Sequence, residues 1–299
     1  MATTLNPKAA TTKIPGKPKA TTAFGCPREF HNNKYVYTVI SPRAKGLSVG
    51  VNLNPTGCCN FDCLYCEVPN RSQNSEAPVD VAVMMEELQG IMTMVSNGTL
   101  MRLPYYSQLP DSLLELKHIS LSGDGEPTLS PNFLEVVQSL VHFRALRMFP
   151  FFKLVLITNG TQLKDNQIVQ GIQLLEDSQD EVWIKFDAGT QGRMEYINGF
   201  DGPIEGIMEN ILTIAKSRPV VLQSLQTSIN GEEPSRQEID ALASRVAGLK
   251  RSGAKISEIQ IYSATRPVWC QEIGHLKLKT LSGIAQTIQR KSGVRALVY

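Results

Sequence analysis

Between residues 47 and 290 the chain alternates short β-rich runs with amphipathic segments, six times over, and no other feature narrows the choice of fold as far. Runs at 47–53, 118–122, 153–158, 182–187, 220–228 and 256–262 read as strands; apolar spacing at 81–95, 131–147, 163–176, 203–217, 235–251 and 280–290 reads as helices. Ser130 is placed to cap the second of these helices, with Pro131 at its first position. Strands each followed by a helix lie parallel and are joined by right-handed crossovers. Six such units suit a partial (β/α)6 barrel, the open relative of the eight-stranded barrel, with functional groups collected at the C-terminal strand ends. At 299 residues and 42% hydrophobic content the chain can bury such a core, and residues 26–299 are expected to form it. Residues 1–25 are rich in Thr, Lys, Pro and Ala, hold no acidic residue and no apolar block, and read as a disordered tail.

Three of the six cysteines stand within eight residues, Cys59-Asn60-Phe61-Asp62-Cys63-Leu64-Tyr65-Cys66, in the loop after the first strand. Thiolates at this density converge on one metal centre, and a closed site needs four ligands. The next cysteine is Cys270 and the next histidine His118, so the set supplies three and leaves a position open for a substrate or cofactor. The alternative is a non-catalytic zinc or electron-transfer module on an α/β scaffold. Cys58 adjoins the set but stands at the wrong distance from Cys63; Cys26 and Cys270 read as buried, inert thiols. This usage belongs to a reducing compartment and predicts a cytoplasmic protein. A net charge of +2 gives no electrostatic footprint for nucleic acid, and no apolar run reaches the length of a membrane span.

Polar motifs fall at the strand ends. Ser122-Gly123-Asp124-Gly125-Glu126-Pro127-Thr128 is either a glycine turn with a solvated carboxylate or a backbone that approaches a ligand closely and offers Glu126 as acceptor. Asn159, in Thr158-Asn159-Gly160-Thr161, either contacts a ligand or closes an Asx turn. In residues 182–187 the alternation puts Trp183, Lys185 and Asp187 on one face and Val182, Ile184 and Phe186 on the other. The apolar face belongs on helices, so Lys185 and Asp187 are expected inside the barrel, paired with each other or with a polar ligand. Ser224, Gln226 and Ser228 share a face and are expected to point the same way, and Arg266 either binds an anion or lies on the surface.

The spacing C-x3-C-x2-C, with Tyr65 before the last cysteine, resembles the cluster loop of the radical S-adenosylmethionine (radical SAM) enzymes. The resemblance implies a [4Fe-4S] cluster on Cys59, Cys63 and Cys66, with S-adenosyl-L-methionine (SAM) at the fourth iron beside Tyr65. It further implies reductive cleavage of SAM to methionine and a 5'-deoxyadenosyl radical that takes hydrogen from a substrate, unidentified here, and a reducing partner of the flavodoxin or ferredoxin type. Gly123, Asp124, Gly125 and Glu126 resemble the family's Gly-Gly-Glu segment at the methionine amino group, with Asp124 where many members carry glycine. By the same resemblance Asn159 contacts SAM, Asp187 its ribose hydroxyls, and Lys185 its carboxylate or the substrate, while adenine meets backbone groups at 262–267. Residues 46–52, the Gly-Glu-Pro-Thr segment, Lys185-Phe186-Asp187-Ala188 and Thr265-Arg266-Pro267 are similar to the branch that includes the tRNA wyosine-base enzymes. That branch implies tRNA as a partner, but this chain has neither the extra N-terminal cysteines nor the flavodoxin domain of its members.

Overall fold

Parallel pairing follows from the βα repeat, and a computed structural model of the chain, which describes residues 23–25, 27–68, 77–176, 178–264, 266, 268 and 270–299, realises it. The expectations for residues 1–22, Cys26, Thr265 and Pro267 lie outside the described residues. Ala23–Gly25 forms a 3-10 turn, and Phe24 packs beside Ile40, Leu47 and Tyr106.

Six strands lie parallel and adjacent in chain order: β2 (Gly46–Val51), β3 (Leu116–Leu121), β4 (Lys153–Thr158), β5 (Glu181–Lys185), β6 (Val220–Leu225) and β8 (Ile256–Tyr262). Two further strands extend the sheet to eight: β1 (Val36–Ser41), antiparallel to β2, and β10 (Ala296–Val298), parallel to β8. Neither was expected, because neither belongs to the repeat. Ser228–Ile229 (β7) and Ile273–Gly274 (β9) form a separate two-stranded ribbon. The run read as one strand over 220–228 therefore stops at Leu225, where Gln226 turns to donate to the Asp187 carbonyl at 2.9 Å.

The helices α1 (Val81–Ser96), α3 (Phe133–Ala145), α4 (Asn166–Gln173), α6 (Ile204–Ala215), α7 (Arg236–Arg251) and α8 (Leu278–Ser292) cover the outer face; α2 (Asp111–Leu114) is a single turn. Their starts follow capping chemistry: Asp80 accepts from Val83 N, Asp165 from Gln167 N and Ile168 N, and Ser235 with Glu238 makes a reciprocal capping box. Helix α3 begins at Phe133, not 131, because Ser130 closes the preceding 3-10 turn Pro127–Leu129 and Asn132 is the cap residue. The Asn132 side chain instead ties the helix to the chain at Val79, accepting from its N at 2.9 Å and donating to its O at 3.0 Å. A helix the sequence reading missed, α5 (Gln191–Asn198), ends on Gly199 in the left-handed conformation, at φ 58°.

The outer faces of the strands join the helices in one core; on β5 it takes Val182, Ile184 and Phe186, as the alternation predicts. Trp183 packs inside the curled sheet against Val155 and Val221. On β6 the inward residues are Val221, Gln223 and Leu225, so Ser224 points outward, opposite to expectation, because the pairing sets Trp183 beside Val221 and Lys185 beside Gln223. No helix among the described residues is long and apolar enough to cross a membrane.

Candidate functional site

The C-terminal strand ends surround a cavity of about 280 Å³, near the lower end of ligand-pocket volumes (about 300 Å³ and up). Cys59, Cys63 and Cys66 line one wall, with Tyr65, the 123–126 turn, Asn159 and Lys185 around them. Cys58 does not line it; its carbonyl accepts from Glu126 N at 3.0 Å. Of the candidates from the sequence, Asp187 does not line the cavity either.

The cysteine loop rests on α5. Asp62 N donates to Asn198 O at 2.7 Å and Leu64 N to Ile197 O at 2.9 Å, so carbonyls that the helix end leaves unpaired hold the loop by backbone alone. Phe61, Cys63 and Tyr65 pack with Ile197, Leu225, Ile273 and Cys270, which brings the sequence-remote Cys270 into the apolar bed beneath the loop. The signal for α5 was present, Thr190 as N-cap and Asn198-Gly199 as stop, but the helix is too short to show a periodic stripe.

The glycines of the 123–126 turn serve the protein before any ligand. A Cβ on Gly125 would fall on the Cys58 carbonyl, and one on Gly123 on the Asn52 side chain, so the turn must be glycine to nest against the chain leading into the cysteine loop. Asp124, between them, is paired with Arg28 at 2.7 Å and accepts from Asn52 Nδ2 at 2.6 Å. Asn159 closes an Asx turn with Thr161 and donates to Asn60 Oδ1 at 2.7 Å, stitching the β4 end to the cysteine loop.

Glu126 is buried, and burial pushes its pKa up against the pull of its donors. Oε1 accepts from Thr128 N at 3.2 Å and from the Thr128 and Thr158 hydroxyls, each at 2.6 Å; among the described residues Oε2 accepts only from Asn159 N, at 2.6 Å, which leaves it a lone pair. Asp187 differs. Its Oδ1 accepts from Leu225 N at 2.8 Å, and its Oδ2 accepts from the Tyr65 hydroxyl and from Asn198 Nδ2 at 2.8 Å, with Lys185 Nζ at 3.8 Å. Asp187 does not line the cavity, so the structure sets the residue expected at the ribose hydroxyls behind Tyr65 and Lys185, which do line it. Lys185 lines the cavity itself, 4.7 Å above the Tyr65 ring; burial is the largest influence and opposes its charge, but Asp187 together with Tyr262, Cys63 and Cys66 outweighs burial and holds its pKa above the ordinary lysine value. Arg266, also on the cavity wall, pairs with Glu67 at 2.8 Å.

The thiols fit a metal centre by their donor chemistry. Burial pushes Cys59 up to about 12 and Cys63 upward, so both stay protonated until a cation takes the charge. Asn198 Nδ2 lies 3.5 Å from Cys63 Sγ, the kind of amide donor that tunes a cluster sulfur. Among the described residues no three His, Cys, Asp or Glu converge on one point as a single ion requires. A cubane cluster makes a different demand, because each of its irons takes its own thiolate and the sulfurs stand apart.

No known family profile matches the chain. A UPF0026 protein of Helicobacter pylori strain J99 is 23% identical over 268 residues, covering 89% of this chain and 79% of that protein. A UPF0026 protein of Synechocystis strain PCC 6803 is 27% identical over 203 residues, 66% of this chain and 61% of that one. Among solved structures, a radical SAM methyltransferase from Sphaerobacter thermophilus superposes with a TM-score of 0.60 at 14% identity, over 88% of this chain and 68% of its own. TYW1 carrying a lysine-pyruvate adduct gives 0.56 at 14% identity, over 87% and 85%. Likeness at these identities speaks for architecture: the chain shares its fold with these radical SAM structures.

Proposed function

We propose that the protein is a radical SAM enzyme in which residues 26–299 act as one catalytic domain, with Cys59, Cys63 and Cys66 holding a [4Fe-4S] cluster. The observation that carries this reading is that these three cysteines, and not Cys58, line one cavity at the strand ends. When bound, the cluster supplies the electron that cleaves SAM and so generates the radical that takes hydrogen from substrate. The chain's own groups position the parts. The spare lone pair of Glu126 Oε2 and the carbonyls of the 123–125 turn receive the methionine ammonium, and Lys185 receives its carboxylate. Tyr65 and Asp187 act through Lys185 and the loop, fixing the amine where the carboxylate arrives. The apolar bed of Phe61, Ile197, Leu225 and Ile273 keeps water from the cluster side.

A cluster on free thiols needs a reducing, cytoplasmic setting and an external electron donor of flavodoxin or ferredoxin type. TYW1 holds a lysine-pyruvate adduct, but a lysine must lose its proton to add to a carbonyl. Lys185, the lysine that lines this cavity among the described residues, is held protonated by Asp187, so the chain does not offer that step through it. A tRNA substrate therefore stands as the second reading, without a pyruvate adduct on Lys185.

Anaerobic reconstitution tests the reading. About four irons per chain, and 5'-deoxyadenosine and methionine formed from SAM under dithionite, are expected, with the rate raised by substrate. Tight zinc binding with no SAM binding and no 5'-deoxyadenosine would establish the metal-module alternative. Stimulation by bulk tRNA, and not by small molecules of a cell extract, would identify RNA as the substrate.

A further inference from the structure

The cavity extends from the cysteine loop down the inside of the sheet, and its far end carries a cation that nothing in the preceding assignment uses. Arg43 stands in the turn between β1 and β2, the hairpin at the edge of the sheet, and reaches across to stack its guanidinium 4.4 Å from the ring centroid of Tyr262 at the end of β8. It lines the cavity. The other cavity cations are each matched by a carboxylate: Arg28 by Asp124 at 2.7 Å, Arg266 by Glu67 at 2.8 Å, and Lys185 by Asp187 at 3.8 Å. Arg43 has no such partner among the described residues, and its buried Nε has no hydrogen bond. A buried donor on a charged group is costly unless a ligand completes it.

Its surroundings are built for a polar guest. Hydroxyls climb the inner face beside it: Ser48 to Ser120 at 3.4 Å, Ser120 to Ser122 at 2.9 Å, and Ser122 to the Tyr37 hydroxyl at 2.9 Å. This ladder leads from the level of His118 to the turn at Gly123. His118 sits edge-on to Trp183, ring centroids 5.4 Å apart, and burial, with Lys153 and Arg43 nearby, holds it neutral with a pKa near 3. A neutral imidazole adds no competing charge, and the planar fork of Arg43, fixed by the stack on Tyr262, is the local group suited to a bidentate oxyanion.

We infer that Arg43, stacked on Tyr262, is the receptor for an oxyanion of the substrate, a carboxylate or a phosphate, held in the barrel interior apart from the SAM carboxylate at Lys185. The inference rests on the catalytic reading for the word substrate, but not for the binding itself. It sets the substrate class as anionic, with the anion anchored toward the open edge of the sheet and the remainder running along the hydroxyl ladder toward the cysteine loop.

Calorimetric titration of the reconstituted full chain with inorganic phosphate and, separately, with acetate tests this, each with and without saturating SAM. Saturable binding of at least one anion is expected, unchanged by SAM; phosphate alone points to a phosphorylated substrate and acetate alone to a carboxylate. Arg43→Gln should weaken the binding roughly tenfold or more, and Arg43→Lys should weaken it less, since the ammonium keeps the charge and loses the fork. Tyr262→Leu, which leaves the cation and removes its stack, is the second probe should Arg43→Gln prove misfolded by circular dichroism, and should also weaken the anion. No anion binding to the native chain, equal binding by folded Arg43→Gln, or displacement of the anion by SAM would each overturn the assignment. Anion binding at Arg43 in a protein that forms no 5'-deoxyadenosine would instead refute the catalytic reading and leave this site standing.

Discussion

Glu126 and Asp187 are both acidic residues just beyond a parallel strand, both buried, and in the sequence they look alike. The structure gives them different work. Glu126 faces the cavity and keeps a lone pair on Oε2, whereas Asp187 lies behind the wall with its oxygens given to Tyr65, Asn198, Leu225 N and Lys185. The contrast separates a carboxylate that lines the cavity and can receive a ligand there from one that is turned away and holds other groups. A strand-end acid is identified as a contact residue by where it faces as well as by what it accepts.

The cysteines set the outer limit against which both acids are measured. Replacing Cys59, Cys63 or Cys66 with Ala should abolish cluster absorption and SAM cleavage together, while Cys58→Ala retains both. Iron analysis and 5'-deoxyadenosine assays read this directly, and cluster loss on Cys58→Ala alone would shift the register of the site. Next in size is Asp187→Ala, which removes the carboxylate beside the half-buried Lys185 and takes an acceptor from the Tyr65 hydroxyl, the Asn198 amide and Leu225 N; about 3–5 kcal/mol of stability should go, with poorer iron loading. Chemical denaturation and iron content check it, and a stable, fully loaded Asp187→Ala protein would erase the distinction drawn here.

Glu126→Gln should cost less, about 1–3 kcal/mol, because an amide replaces one acceptor among four donors, but it should weaken SAM binding with iron content kept. Equal SAM affinity in the two proteins, by equilibrium binding, would move the ammonium to the turn carbonyls alone. Tyr65→Phe removes one hydrogen bond to Asp187 and should cost about 1 kcal/mol in the same denaturation assay.

A further effect, confined to acid pH, concerns His118. His118 titrates near 3 when folded and near 6.5 when unfolded, so between these values the unfolded chain binds the extra proton. Its contribution to stability is complete above about 6.5 and declines as pH falls toward 3. His118→Gln should flatten the stability profile over that window, measured by denaturation at stepped pH; an unchanged slope would show that His118 is not held neutral.

Much of this was legible in the chain. Strands at 153–158 and 256–262 match β4 and β8 residue for residue, because β-rich runs between turn signals report local geometry directly. The edge strands β1 and β10 were not legible as part of the sheet: one pairs antiparallel outside the repeat, and the other is three residues long. For the site, spacing favours Cys59 over Cys58, and of the two Cys59 lines the cavity. It could not say that Asp187 turns behind the wall, since that depends on Asn198 of a short helix and on Leu225 of the next strand. Nor could it pair Arg43 with Tyr262, residues joined only when the sheet curls.

That curl has a mechanical consequence. Among the described residues β1 and β10 end the sheet, β1 carrying on its outer edge the isolated Glu29–Thr38 bridge, and no ladder joins the two strands. The gap is crossed by side chains, Arg43 over Tyr262 and Lys45 5.9 Å from the ring centroid of Tyr299. A barrel closed by backbone pairing has its girth set by strand number and stagger. Here no ladder joins the two ends, and two cation-aromatic contacts of about 0.5–2 kcal/mol each span them. Parting those two contacts would break no strand pairing of the sheet.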